Sequence, residues 1–347
     1  MTSNPARLLR ASTFAGPLVF AILTLTACGG DSLPQAPTRA PADAPTVVSA
    51  STAEVAPSAT TAASATTAPP SATAVPPTAT PAPATGISFQ PAQLQQGGTA
   101  VVYLNETAIN ATLTFGGRQY PMVQAGNRWW TVIGVGAFTS PGLAPVTVAY
   151  TPAQGAAVRS ITQSLSITDR DYPVSHITLD PATASLLAPD IVNNEIAQRA
   201  AIFSGYTAQK LWNGAFQRPA EGPLSDRYGE GRSYNGSPVT DYHKGTDFVG
   251  GIGDPVYAAA AGRVVFTGEL RVRGNAIIID HGLGVFTAYH HLSAIKVVQG
   301  AIVAPGQRIG DIGSTGLVTG PHLHWEVIVR GVEVDGEYWL SDISLGP

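Results

Sequence analysis

From about Leu224 to Leu345 the chain is a succession of short β-branched or aromatic runs, each bounded by glycine. Gly262-Arg263-Val264-Val265-Phe266, Ala276-Ile277-Ile278-Ile279-Asp280 and Val285-Phe286-Thr287-Ala288-Tyr289 are the clearest. Such side chains suit a pleated, half-buried surface, and glycine marks the turns between strands. No convincing helical pattern interrupts them. The expected fold is an antiparallel, partly closed β structure, so any chemistry in this region has to be mounted on strands and turns.

Two histidine motifs stand in that setting. His243-Lys244-Gly245-Thr246-Asp247 has the form H-x-x-x-D, and His322-Leu323-His324 has the form H-x-H. Positions i and i+2 of a strand share a face, so His322 and His324 project together into one site. A zinc ion that does chemistry takes three protein ligands and keeps a fourth position for water. Two nitrogens and one carboxylate oxygen from His243, Asp247 and His324 would fill that role, with His322 unligated beside the metal. Glu326 shares the strand face of His322 and His324, so it can support a ligand from behind or remain a solvated carboxylate.

Further motifs agree in order and spacing. Tyr242-His243-Lys244-Gly245-Thr246-Asp247-Phe248, Tyr289-His290-His291-Leu292-Ser293 and Gly320-Pro321-His322-Leu323-His324-Trp325-Glu326 resemble the lysostaphin-type, or LytM-like, zinc endopeptidases. Gly253-Asp254-Pro255-Val256-Tyr257-Ala258-Ala259, Ile279-Asp280-His281-Gly282 and Gly313-Ser314-Thr315-Gly316 resemble that family as well. The resemblance covers the last third of the chain. It implies an antiparallel β core with a narrow groove holding one Zn2+ on His243, Asp247 and His324, and it implies His291 and His322 as the catalytic histidines. It also implies peptidoglycan as substrate, cut at a peptide bond of a stem or cross-bridge. The family often carries Asp-Pro after its last strands, whereas this chain has Asp335-Gly336, a departure at a distal turn. Adjacent strand residues face opposite ways, so with His291 at the metal, His290 is expected to point elsewhere. His281 is expected to bond backbone or water, and His176 to be ordinary. Arg232 and Tyr234 are expected to line the groove.

The rest of the chain reads as a means of delivery. Arg7 and Arg10 precede a nearly uncharged, apolar stretch from Phe14 to Thr26, too short to span a bilayer and suited to a secretory signal. Leu25-Thr26-Ala27-Cys28 resembles a bacterial lipobox, which makes residues 1–27 a lipoprotein signal peptide and Cys28, the single cysteine of the chain, the lipidated residue. The expected location is outside the cytoplasm, anchored to the outer face of the cytoplasmic membrane or in the cell envelope. Residues 28–85 are dominated by Ala, Thr, Pro and Ser and have almost nothing large to bury, so they read as a disordered, extended tether.

Residues 86–171 show period-two runs instead. Leu113 and Phe115 share a face, as do Val146, Val148 and Tyr150, and Leu165 and Ile167. A small β-sandwich of immunoglobulin-like architecture is expected, with one ring of Trp129-Trp130 in its core and the other exposed. Residues 172–223 read as a partly helical connector, with Asp190 as N-cap of a helix running to about Phe203 through Ile191, Ile196 and Ala200. The remaining span, 224–345, is the peptidase domain.

The net charge of −4 over 347 residues offers no basic face for nucleic acid, and no such partner is expected. The reading is an all-β, exported, membrane-tethered zinc metalloendopeptidase. The alternative is a catalytically silent wall binder or activator of another wall hydrolase, and a third option is a zinc peptidase acting on proteins or small peptides. Protein regulators and oligomeric state are left open.

Overall fold

A computed structural model describes residues 85–341 and 346–347. The leader, Cys28 and all but the last residue of the tether lie outside the described residues. Strands dominate, as the sequence implied. No helix among the described residues is long and apolar enough to cross a membrane.

Two sheets build the first half. One has the order Ile87–Gln90, Thr99–Leu104, Arg128–Gly134, Val123–Ala125, and the other Gln93–Gln95, Arg159–Thr168, Gly142–Thr151, Asn110–Phe115, Arg118–Pro121. All three period-two faces read from the sequence enter one hydrophobic core between these sheets, where they meet Val102, Leu104 and Ile133. The four-stranded sheet is apolar on its other face too. Val101, Trp130 and Val132 on that side join the core of the C-terminal part, which is why Thr99–Leu104 is buried almost throughout. Trp130 therefore fills a core, but one shared with the second half of the chain. Its neighbour Trp129 is half-buried on the sandwich side and donates its indole N–H to the Ala108 carbonyl at 3.0 Å.

The C-terminal part is a seven-stranded sheet. Its path is Thr246–Val249, His322–Val329, Val285–Leu292, Gly274–Gly282, Gly262–Leu270, Ile302–Val303, with Val332–Val334 added to His322–Val329, and every pairing is antiparallel. A smaller sheet of Pro255–Tyr257, Arg308–Asp311 and Ala294–Ile295 packs with it over a core containing Val256, Ile277, Leu292, Ile309 and Leu323. His281 is fully buried here. Its Nδ1 lies 2.8 Å from the Ala261 carbonyl and its Nε2 2.7 Å from the Thr287 hydroxyl, so it bonds backbone as expected and also a side chain.

The connector contains the helix Pro189–Ser204. Asp190 does not cap it. Ala188 holds the cap position, Pro189 starts the first turn, and Asp190 sits in that turn, where a negative charge meets the helix dipole favourably. The buried face is also not the apolar one anticipated. Glu195, Arg199 and Phe203 are buried, whereas Ile196 is exposed.

Candidate metal centre and its surroundings

Register brings the two motifs together. Thr246–Val249 pairs antiparallel with His322–Val329 so that Asp247 lies directly opposite His324, and cross-strand partners share a face. His243 reaches the same point from the turn before the strand, where its N–H donates to the Glu230 carbonyl at 2.8 Å. Gly245, between the two ligands of the first motif, runs so close to the neighbouring strand that a Cβ there would overlap the Trp325 carbonyl. That approach explains the glycine of the motif.

His243, Asp247 and His324 form a group whose ligand atoms all lie within 4.8 Å of one another. His243 Nε2 stands 2.8 Å from His324 Nδ1 and 3.1 Å from Asp247 Oδ1, and His324 Nδ1 stands 2.8 Å from the same oxygen. The other ring nitrogens settle where the protons go. His243 Nδ1 faces the Arg227 carbonyl at 2.9 Å, and His324 Nε2 faces Glu326 Oε1 at 3.1 Å. Carbonyls and carboxylates only accept, so both of those nitrogens carry hydrogen, a tautomer assigned from partners. With both rings neutral, His243 Nε2, His324 Nδ1 and Asp247 Oδ1 are three lone-pair donors facing each other. Such a group in a buried setting calls for a cation, and two imidazoles with one carboxylate is a donor set that fits zinc.

The electrostatics agree. Burial would raise Asp247, yet His243 and His324 beside it hold its carboxyl well below the usual range. Burial lowers His243 and keeps it neutral. Burial would also lower His324, but its bonds to Asp247 and Glu326 outweigh this and raise it. A ring flanked by two carboxylates attracts positive charge, which a bound cation would supply in place of a proton.

His291 and His322 stand beside this triangle with their rings 4.9 Å apart. His291 Nδ1 lies 2.7 Å from the Thr315 carbonyl, and His322 Nδ1 lies 2.9 Å from the Gly320 carbonyl. Both therefore present a bare Nε2, and that of His322 lies 3.6 Å from Asp247 Oδ2. Burial drives His291 well below the ordinary histidine range, with His324 and His322 adding to the effect. All five side chains named from the motifs thus meet at one wall of a cavity of about 820 Å³, together with Arg232 and Tyr234.

His290 stays out of the donor group and of the cavity lining, as expected, but not by facing the opposite side of the strand. It pairs in register with His324, and so takes the metal-ligand face of the sheet. Its ring lies 5.6 Å from that of His324, fully buried, with Nε2 3.6 Å from Glu326 Oε2. Simple alternation fails because His291 has φ of +61°, which swings it out of the strand's rhythm and lets both neighbours border the site. Glu326 is buried completely, which excludes the solvated alternative.

The site is a buried group of three candidate metal donors with two further imidazoles beside it, opening on the cavity. The profile of peptidase family M23 matches residues 241–336. Over 143 residues the chain is 41% identical to the peptidoglycan DD-endopeptidase ShyA of Vibrio cholerae, covering 41% of this chain and 30% of that one. Over 93 residues it is 46% identical to the DD-carboxypeptidase/endopeptidase Mpg of Neisseria meningitidis, covering 27% of this chain and 21% of that one. The chain thus spans less than a third of either relative's length. The crystal structure of a putative peptidase M23 from Pseudomonas aeruginosa superposes with a TM-score of 0.54 at 28% identity, covering 72% of this chain and 95% of that one.

Proposed function

We propose that this protein is an exported zinc metalloendopeptidase that hydrolyses peptide bonds in the stem or cross-bridge peptides of peptidoglycan. The observation that carries this reading is the triangle of bare donors on His243, Asp247 and His324, with two further imidazoles beside it. Zinc there would act as a Lewis acid and bring the pKa of a bound water to about 7. The chain's own part is proton handling. His291 and His322 each hold Nδ1–H against a backbone carbonyl, which fixes the ring and leaves Nε2 to accept a proton. One imidazole takes the proton of the attacking water and passes it to the leaving amine, while the other, carrying on Nε2 a proton taken from solvent, donates to the developing oxyanion.

The names of ShyA and Mpg support a peptidoglycan substrate. Similarity to the outer membrane antigenic lipoprotein B of Haemophilus influenzae, 36% identical over 160 residues, supports envelope placement. In this reading residues 1–27 direct export, Cys28 carries the lipid, the Pro/Thr/Ala-rich segment spaces the sandwich and the peptidase domain from the membrane, and 172–223 connect those two. The test is incubation of the purified, zinc-loaded chain with sacculi, followed by mass spectrometry of released fragments. New peptide termini in the wall support the reading; intact sacculi, beside an active M23 enzyme that digests them, reject it.

A further inference from the structure

Glu326 is fully buried, and besides His324 three groups approach it: Arg273, Arg199 and His290. Its Oε1 accepts from His324 Nε2 at 3.1 Å and from Arg273 Nε at 3.0 Å, and its Oε2 accepts from Arg199 Nη2. His290 closes the remaining side. Arg199 belongs to the connector helix and lies well outside the segment that matches the family. Four residues earlier on the same helix, Glu195 is buried as well. It binds Arg273 Nη1 at 2.8 Å through Oε1 and accepts from the Val272 N–H at 2.6 Å through Oε2. One helical turn therefore presents an acid and a base to Arg273, in the turn between Gly262–Leu270 and Gly274–Gly282, and to Glu326 on His322–Val329. The result is a largely buried array in which Glu195, Arg273, Glu326 and Arg199 are linked in turn, bordering the cavity and ending on His324. Arg199 also reaches Glu333 at 3.4 Å.

This arrangement is costly unless complete. Charges removed from water are tolerated only when geometry and hydrogen bonding satisfy them, and well-packed apolar residues would hold a helix to a sheet at least as well. What the array adds is orientation. Oε1 serves both His324 and Arg273, so the contact at Oε2 is what stops the carboxylate turning about its own axis. A carboxylate behind a metal-binding imidazole fixes the tautomer and the ring plane.

We propose that Arg199 and Glu195 of the connector helix are positioning residues of the metal centre, holding Glu326 and Arg273 so that His324 keeps Nδ1 aimed at the ion. This rests on the reading of His243, Asp247 and His324 as zinc ligands. The functional unit is then larger than the family domain: its metal site is completed from the connector. The helix also walls the groove, through Val192, Ile196 and Arg199.

The experiment compares the full chain with Arg199→Met, Glu326→Gln and the double variant. Zinc affinity is measured by chelator competition, the cobalt-substituted visible spectrum reports ligand geometry, and circular dichroism with thermal melts reports the fold. Glu326→Gln is expected to weaken zinc binding about 10–100-fold. Folded Arg199→Met is expected to weaken it about tenfold with an altered cobalt spectrum, and the double variant no more than Glu326→Gln alone, because both act through one path. A purely structural role would lower the melting temperature while leaving affinity and spectrum as in the wild type, and that result overturns the proposal. Full additivity in the double variant overturns it too. If Arg199→Met does not fold, Arg199→Lys decides, since it keeps the charge and loses the planar fork: weakened zinc binding supports the proposal and wild-type binding overturns it. Failure of the wild-type chain to bind zinc would instead reject the ligand assignment itself.

Discussion

Replacing His322 by alanine separates chemistry from metal binding more cleanly than any other change at this site. His322 contributes no atom to the triangle of donors: its Nε2 lies 3.6 Å from Asp247 Oδ2, and its Nδ1 is engaged by the Gly320 carbonyl at 2.9 Å. Its removal costs one partly exposed hydrogen bond, about 1 kcal/mol of stability. Zinc stoichiometry should stay at the wild-type value. Proton transfer by a positioned imidazole is worth about 10²–10⁴-fold in rate, or about 3–5 kcal/mol of barrier. The turnover of His322→Ala on sacculi should fall by that factor. Because His291 stands 4.9 Å away and shares the proton path, the His291→Ala/His322→Ala pair should lose far less than the product of the single losses. The assays are fragment release per unit time and metal analysis of the same samples. A variant that keeps wild-type turnover, or one that loses its zinc, refutes the assignment.

Three further outcomes follow from the same geometry. Burial depresses His281 to about 4, so the unfolded chain binds protons before the native one does. Stability should then be complete above pH 6.5 and fall as pH drops from there toward 4, by about 1.4 kcal/mol per unit for this residue. Urea melts across that range check it, and a His281→Asn variant with an unchanged slope would contradict it. Gly245→Ala forces a methyl against the Trp325 carbonyl between two ligands, so it should cost about 1–3 kcal/mol and weaken zinc binding; unchanged melting and affinity would contradict this. Stripping zinc with a chelator should lower the stability of the wild type, by about 4 kcal/mol if free zinc stood at a thousand times the dissociation constant, and an unshifted melt would speak against a native-state metal site.

Much of the site was legible in the chain because its chemistry depends on residue type and spacing. H-x-H on a strand and H-x-x-x-D at its neighbour need only period-two alternation and one antiparallel pairing to converge, and the pairing of Asp247 with His324 provides it. The sandwich faces were legible for the same reason. What escaped detection broke those rules. His290 shares the ligand face because a positive φ at His291 interrupts alternation, and no spacing rule signals that. The connector helix buries Glu195 and Arg199 in place of Ile196, so a search for an apolar stripe chooses the wrong face. The docking of the sandwich was hidden as well. Val101 and Val132 look like solvent-side residues of a two-layer sandwich until the C-terminal core covers them. A sheet strand apolar on both faces, as in Ala100-Val101-Val102, is the signal that would have revealed it.

The most direct test is metal analysis joined to X-ray absorption at the zinc edge, on chain purified without chelators. One zinc per chain is expected, with two imidazole nitrogens and a carboxylate oxygen at about 2.0–2.2 Å, and with binding abolished in His243→Ala, Asp247→Ala and His324→Ala but kept in His291→Ala and His322→Ala. Absence of any bound transition metal, or a coordination shell indifferent to loss of Asp247 or His324, would contradict the account.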